Sequence, residues 1–154
     1  MWDGSKDFKF RISGRSDSDY AANTDDRKSV SGGRVFPEMA PVQMRSNTQR
    51  FVTLSVTESE SGAGVMTAQD MMYTYRLIMS LGLQVKLPMV HEMDNKGAVD
   101  LANNYSVGGC TRHVDVRFFY LRELKDEGLM VIRHVPGADN DADIFTKDVT
   151  GDIF

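Results

Sequence analysis

The segment LPMVHEMDNKGAVDLANN, residues 87–104, changes its apolar period part-way along, and this constrains the fold more than any other stretch of the chain. Leu87, Met89 and Val90 form a short apolar run that reaches Asp94. From Asn95 the spacing is helical, with Ala98, Leu101 and Ala102 on one face. A strand that leads directly into a helix holds its last carboxylate at the carboxyl end of a sheet, beside a helix N-terminus, where open α/β sheets place their chemistry. Asp and Asn at such a junction also serve as ordinary helix caps, so the position acquires chemical meaning only if other carboxylates converge on it.

The chain has 154 residues, 41% of them hydrophobic, enough to bury one core and too few for two. No apolar run approaches the roughly 18 residues of a membrane span, and the N-terminal MWDGSKDFKF lacks the apolar core of a signal peptide. A soluble, intracellular protein is the expectation. Cys110 is the single cysteine and is most simply a free thiol. No Cys/His spacing resembles a zinc site, so any metal must be held by oxygen. A net charge of −4 argues against a free-standing, non-specific nucleic-acid binder, which needs a basic face. It leaves room for an acidic metal site turned toward a nucleic acid.

In chain order, residues 1–7 have no periodicity, and Phe8 to Ser16 alternates apolar and polar residues as a strand does, ending on Asp17, Ser18 and Asp19. Asn23 to Lys28 has turn composition, and Ser31-Gly32-Gly33 reads as a further breaker. Val35 to Pro37 and Val42 to Arg45 then resemble two strands of an antiparallel meander. From Thr57 the period becomes helical: Val65, Ala68, Met72, Tyr75 and Met79 form an apolar stripe that ends near Gly82. Thr57-Glu58-Ser59-Glu60 has the spacing of a capping box, with Thr57 as the cap and Glu60 as its partner. Beyond Asp94 and its helix, a glycine-containing loop leads to an amphipathic helix marked by Val114, Phe118, Leu121 and Leu124, with Arg117, Arg122, Glu123 and Lys125 on its other face. Leu129 to Val135 reads as a buried strand, Pro136-Gly137 as a turn and Ala142 to Val149 as a short last helix. This order predicts an α/β fold with a mixed sheet, an antiparallel ribbon followed by right-handed parallel crossovers.

Four carboxylates fall at element ends in this scheme: Asp17, Glu60, Asp94 and Asp143. If the first and fourth strands are neighbours at the sheet centre, Asp17 and Asp94 sit side by side and raise each other's pKa. A divalent cation removes that conflict. All-oxygen ligation with few protein ligands suits Mg²⁺ or Mn²⁺, and a pair of such ions suits phosphodiester cleavage.

Six segments in register carry a family resemblance: SDSDYA (Ser16 to Ala21), DRKSVSG (Asp26 to Gly32), LSVTESE (Leu54 to Glu60), DNKGAVDLANN (Asp94 to Asn104), RHVDVRFFYLRE (Arg112 to Glu123) and DADIFTK (Asp141 to Lys147). Together they resemble the ribonuclease H domain of Ty1/copia-type LTR retrotransposon polyproteins, over about Ser13 to Val149. The resemblance implies a ribonuclease H-like fold, a mixed five-stranded sheet with strands 1–3 antiparallel, strands 4 and 5 parallel, and helices on both faces. It places the domain at 13–149, after a lead-in that includes the start of the first strand (1–12) and before a tail (150–154). The implied activity is hydrolysis of the RNA strand of an RNA/DNA hybrid, with two Mg²⁺ ions, or Mn²⁺ as a substitute, held by Asp17, Glu60, Asp94 and Asp143.

Asp19 is the rival for the first of these positions and Glu58 for the second. Asp17 is preferred because the family's ligand is the first acid of its motif. Residues two apart on a helix face different ways, so only one of Glu58 and Glu60 can enter the site. Two departures from the pattern stand out. Ser61-Gly62-Ala63-Gly64 replaces the usual aromatic and helix-forming run, which predicts a loosely held start to the long helix. The loop Pro136 to Ala142 lacks the histidine of cellular ribonucleases H; His134 and His91 read as structural, and His113 as a helix-start or substrate-side residue. Recognition of hybrid must read the 2′-hydroxyl, for which Asn47, Gln49, Ser55, Thr57 and Asn95 are polar candidates, each equally a turn or cap residue. Arg112, with Arg45, Arg50, Lys96 and Arg117, is a candidate for phosphate contact. Further implied are an adjoining reverse transcriptase domain, in cis or in trans, that supplies much of the hybrid affinity, no membrane partner, and a cytoplasmic retroelement particle or the nucleus as location, without secretion. A catalytically silent module binding duplex nucleic acid or protein is the alternative from another class. Polynucleotidyl transfer of the integrase type is disfavoured by DADIFTK.

Overall fold

The computed structural model describes residues 8–21, 25–37, 42–50, 52–104, 112–140, 142 and 146, with residues 112–115 described by backbone alone. Five strands, β1 (Lys9–Asp19), β2 (Val30–Pro37), β3 (Gln43–Thr48), β4 (Gln84–Met93) and β5 (Met130–His134), form one sheet in the order β3-β2-β1-β4-β5. β1 and β2 pair antiparallel, as do β2 and β3, whereas β4 runs parallel to both β1 and β5. This is the mixed sheet that the period changes predict. The antiparallel ribbon comes from short local connections, and each parallel pairing requires a helical crossover.

Three helices supply those crossovers: α1 (Val56–Ser80), α2 (Lys96–Asn103) and α3 (Arg112–Asp126). They touch one another and share one core with Ile12, Val35, Met89, Met93 and Ile132, so the described helices lie on a single face of the sheet. The last helix expected over 142–149 falls outside the described residues apart from Ala142 and Thr146. Among the described residues no helix is long and apolar enough to cross a membrane.

Both long helices end in the same way. Gly82 and Gly128 have positive φ, and the amides of Leu83 and Leu129 donate to the carbonyls of Ile78 and Leu124. This glycine-terminated motif satisfies orphan carbonyls and turns the chain directly into β4 and β5.

Several local expectations are corrected. Ser31-Gly32-Gly33 is not a breaker but lies inside β2, because α1 crosses that strand closely: a Cβ on Gly33 would sit 2.4 Å from Thr67 Oγ1. β3 is displaced toward Thr48, since its pairing with β2 continues to Val30. The N-cap of α1 is Ser55 rather than Thr57. Ser55 Oγ accepts from the Glu58 amide, and the Glu58 carboxylate accepts from the Leu54 amide, so the capping exchange is set two residues earlier than the sequence spacing suggests. The apolar stripe of α1 is also rotated. Ala63, Thr67, Ala68 and Met71 are fully buried while Met79 is 45% exposed, because α1 meets the sheet on one side and α3 on another. Arg122 is not on a solvent face: it is buried, and its guanidinium donates twice to the Leu101 carbonyl in the last turn of α2.

The start of α1 is firmly seated, contrary to the expectation raised by its glycines. Gly64 lies where a Cβ would be 2.9 Å from Met93 Cε, and Ser59, Glu60, Ser61 and Ala63 are all buried. The glycine that costs helix propensity permits close helix–sheet contact. Gly33→Ala is therefore expected to destabilise the fold by about 1–3 kcal/mol through overpacking against Thr67, read as a lower denaturant midpoint at unchanged m-value.

Candidate active site

Parallel pairing of β1 with β4 sets Ser16 opposite Met93, so the next residues, Asp17 and Asp94, leave neighbouring strands at the same end of the sheet. The first turns of α1 lie over that end and add Glu60. One carboxylate oxygen from each of Asp17, Glu60 and Asp94 lies within 4.8 Å of the other two. Asp17 and Glu60 are buried and Asp94 is half-buried. Asp19 lines the same cleft without joining this cluster, and Glu58 is occupied in the helix cap. Asp143 lies outside the described residues.

Neutral hydroxyls hold two of the three acids. Ser18 donates to Glu60 Oε1 twice, from its amide at 3.2 Å and from Oγ at 2.9 Å. Thr146 Oγ1 donates to Asp17 Oδ2. Asn140 is buried and ties the segment after β5 to β1: its Nδ2 donates to the Ser16 carbonyl, and its Oδ1 accepts from the Ala142 amide. Arg15 binds Glu92 at 2.7 Å and the Asp139 carbonyl, anchoring the same loop a step along the sheet. Sequence reasoning missed Ser18, Thr146, Asn140 and Arg15 as site supports. Only Ser18, set between two acids, carried a local signal; the others are brought in by chain segments more than a hundred residues apart.

Burial, reinforced by the Asp94 and Asp17 charges, pushes the Glu60 carboxyl up to about 8, against the lowering effect of the Ser18 bonds. Glu60 Oε2 is buried with no hydrogen-bond partner among the described residues. None of the described residues lining the cleft is basic. An unpartnered buried carboxylate oxygen within a set of oxygen-only donors fits a hard divalent cation such as Mg²⁺ or Mn²⁺.

Two of the histidines make contacts within the fold. His91 is fully buried against Ser16 Oγ at 3.0 Å, and burial lowers its pKa to about 4, so the ring is neutral. His134 Nε2 lies 2.9 Å from the Asp94 carbonyl, which requires that nitrogen to carry the proton. His113 is described by backbone alone.

The polar candidates for substrate contact divide by location. Asn47, Arg50, Gln69 and Arg117 line a groove between β3, α1 and α3. Gln49 lines it too, but its amide nitrogen is committed to Ser31 Oγ and the Ser59 carbonyl. Arg117 also donates to the Glu58 carbonyl, and Arg45 pairs with Asp70 at 3.3 Å. Ser55 and Asn95 are the N-caps of α1 and α2, although Asn95 still lines the acidic cleft. Thr57 faces Gly97 across the α1–α2 junction, Lys96 is exposed at the start of α2, and the side chain of Arg112 is not among those described.

The raised Glu60 pKa predicts a pH dependence of the metal-free fold. The folded state binds this proton more tightly than the unfolded chain, so the stabilisation is full below about pH 4.5 and is lost as pH rises through about 8. Unfolding midpoints measured in chelator across this window are expected to fall more for the wild type than for Glu60→Gln, and the difference between the two profiles isolates the group.

No protein-family model matches the chain. The retrovirus-related Pol polyprotein of transposon TNT 1-94 from Nicotiana tabacum is 32% identical over 143 residues, 93% of this chain and 11% of the relative. Those of transposons RE2 and RE1 from Arabidopsis thaliana are 31% and 30% identical over 86% and 90% of the chain. The chain thus spans about a tenth of the length of the curated relatives it matches. Among solved structures, LC11-RNase H1, isolated from compost by a metagenomic approach, superposes with a TM-score of 0.66 at 18% identity, covering 88% of this chain and 91% of that one. The same protein in complex with an RNA/DNA hybrid gives 0.63 at 18% identity, over 88% and 93%. RNase H1 from Halobacterium salinarum gives 0.60 at 16% identity, over 88% and 93%. The solved structures share the sheet and the transposon proteins share the sequence: the chain belongs to the ribonuclease H-like domains of retrovirus-related transposon Pol polyproteins, the family its motifs resemble.

Proposed function

We propose that this chain is a ribonuclease H of the Ty1/copia type, cutting the RNA strand of RNA/DNA hybrids with two divalent cations held by Asp17, Glu60, Asp94 and Asp143. The observation that carries this reading is the convergence of Asp17, Glu60 and Asp94 at the ends of β1 and β4, with Glu60 Oε2 buried and without a partner among the described residues. The sequence relationship to transposon Pol proteins supports the same assignment, as does the hybrid seen with a protein of like fold.

Bound divalent cations would lower the pKa of an attacking water and neutralise charge on the phosphate and the leaving oxygen. The chain's own residues set the geometry. Asp17 lies on β1 and Asp94 directly follows β4, so the parallel pairing of Ser16 with Met93 sets the two acids side by side. Glu60 enters from a helix whose start is pinned by the Ser55 cap. Without a histidine among the described residues of the loop after β5, the protein supplies acids for ligation, and proton transfer passes to solvent and substrate phosphate. Asn47, Arg50 and Arg117 would meet the hybrid backbone, a role supported by their lining the groove beside α1, and Asn95 lines the cleft itself. With a net charge of −4, affinity for the hybrid is modest and falls with salt, and an adjoining reverse transcriptase domain, in cis or in trans, supplies the rest.

The test uses a hybrid labelled on its RNA strand, with Mg²⁺, Mn²⁺ or chelator, and compares the wild type with Asp94→Asn. Metal-dependent cutting of RNA in the hybrid alone, lowered at least ~100-fold by the substitution, is the expected result. A wild-type chain that binds the hybrid at low salt but leaves it intact with either metal, alone and beside its reverse transcriptase, would show a binding module instead. Arg117→Ala is expected to raise KM with little change in kcat and to reduce the steepness of the salt dependence.

A further inference from the structure

Ser18 does more at the acidic cluster than continue β1. It sits between Asp17 and Asp19, and its amide and its hydroxyl both donate to a single oxygen, Glu60 Oε1. A carboxylate with both local donors on one oxygen cannot turn freely about its last bond, and planarity then fixes the direction of the other oxygen. That other oxygen, Oε2, is the one buried without a partner among the described residues, on a residue only 3% exposed. The capping machinery of α1 leaves Glu60 alone, because Glu58 takes that role. Glu60 is therefore oriented by one residue of the facing strand.

We infer that Ser18 is a positioning residue that aims Glu60 Oε2 into the cation site and makes Glu60 a one-oxygen ligand. The inference rests on the cation reading proposed above and adds to it a residue that does not itself touch the metal. A side-chain hydroxyl is suited to this role because it donates without bringing in a charge that would compete with the cation. Thr146 stands in the same relation to Asp17, with Oγ1 on Oδ2. Outer-sphere hydrogen bonds of this kind typically carry about 10–100-fold in metal affinity. The retained backbone donor places Ser18 at the lower end of that range.

The test reads binding of Mn²⁺ alone to the full chain, by titration calorimetry and by the loss of free-ion electron paramagnetic resonance signal, with folding checked by circular dichroism in chelator. Ser18→Ala is expected to weaken Mn²⁺ binding about tenfold and to raise the metal concentration for half-maximal cleavage in parallel, with kcat at saturating metal largely kept. Ser18→Thr restores the hydroxyl and is expected to bind as the wild type does. Ser18→Val, of the same shape as threonine, is expected to behave like Ser18→Ala, which separates the hydroxyl from packing if the alanine variant folds poorly. Equal Mn²⁺ affinity for wild type, threonine and valine variants overturns the positioning role and leaves the cation reading standing. A wild-type chain that binds no Mn²⁺ overturns both.

Discussion

The mutual repulsion of three carboxylates held within 4.8 Å is the interaction around which the rest of the structure is arranged. Acids left to themselves would separate or take up protons, and the Glu60 pKa, raised first by burial and further by the Asp94 and Asp17 charges, reflects the second response. The fold denies them the first. Asp17 and Asp94 are tied to adjacent parallel strands, and Glu60 is carried in by a helix that cannot retreat from the sheet. Such a cluster is unfavourable for stability and favourable for cation binding, and local conflict of this sort is commonly concentrated at functional sites.

Close approach of α1 to the sheet makes the cluster possible. Gly14, Gly33 and Gly64 remove side chains where the helix and the strands meet, and Met71 lies against Gly14 and Met93 against Gly64. Methionine suits an irregular contact of this kind because its unbranched thioether adapts to the gap. Asn140 and Thr146 support the site from late in the chain, Asn140 bonded to the backbone beside Asp17 and Thr146 to its carboxylate. Residues separated by more than a hundred positions thus complete a cleft whose principal acids were already legible in sequence.

That legibility was uneven, for physical reasons. The strand-to-helix switch at Asp94 and the acids ending the first strand survive in the sequence because period and charge are local properties. Caps and close contacts are not local in the same way. Thr57 and Glu60 have the spacing of a capping box, yet Ser55 and Glu58 take that role, since a Glu60 turned back to cap its own helix would leave the sheet end empty. Ser31-Gly32-Gly33 has breaker composition and is nevertheless strand, because pairing on both sides and the pressure of α1 outweigh intrinsic propensity.

By itself the sequence determined the alternation of element types, the acidic character of the strand ends and the kinship with transposon Pol proteins, because period, composition and motif are carried by neighbours in the chain. Only the tertiary structure decided which glutamate faces the two aspartates, which oxygen of it is left free, and which hydroxyls hold the cluster in place. Those are questions of direction between segments far apart in sequence, and direction is set by strand register and helix seating, which no local pattern records.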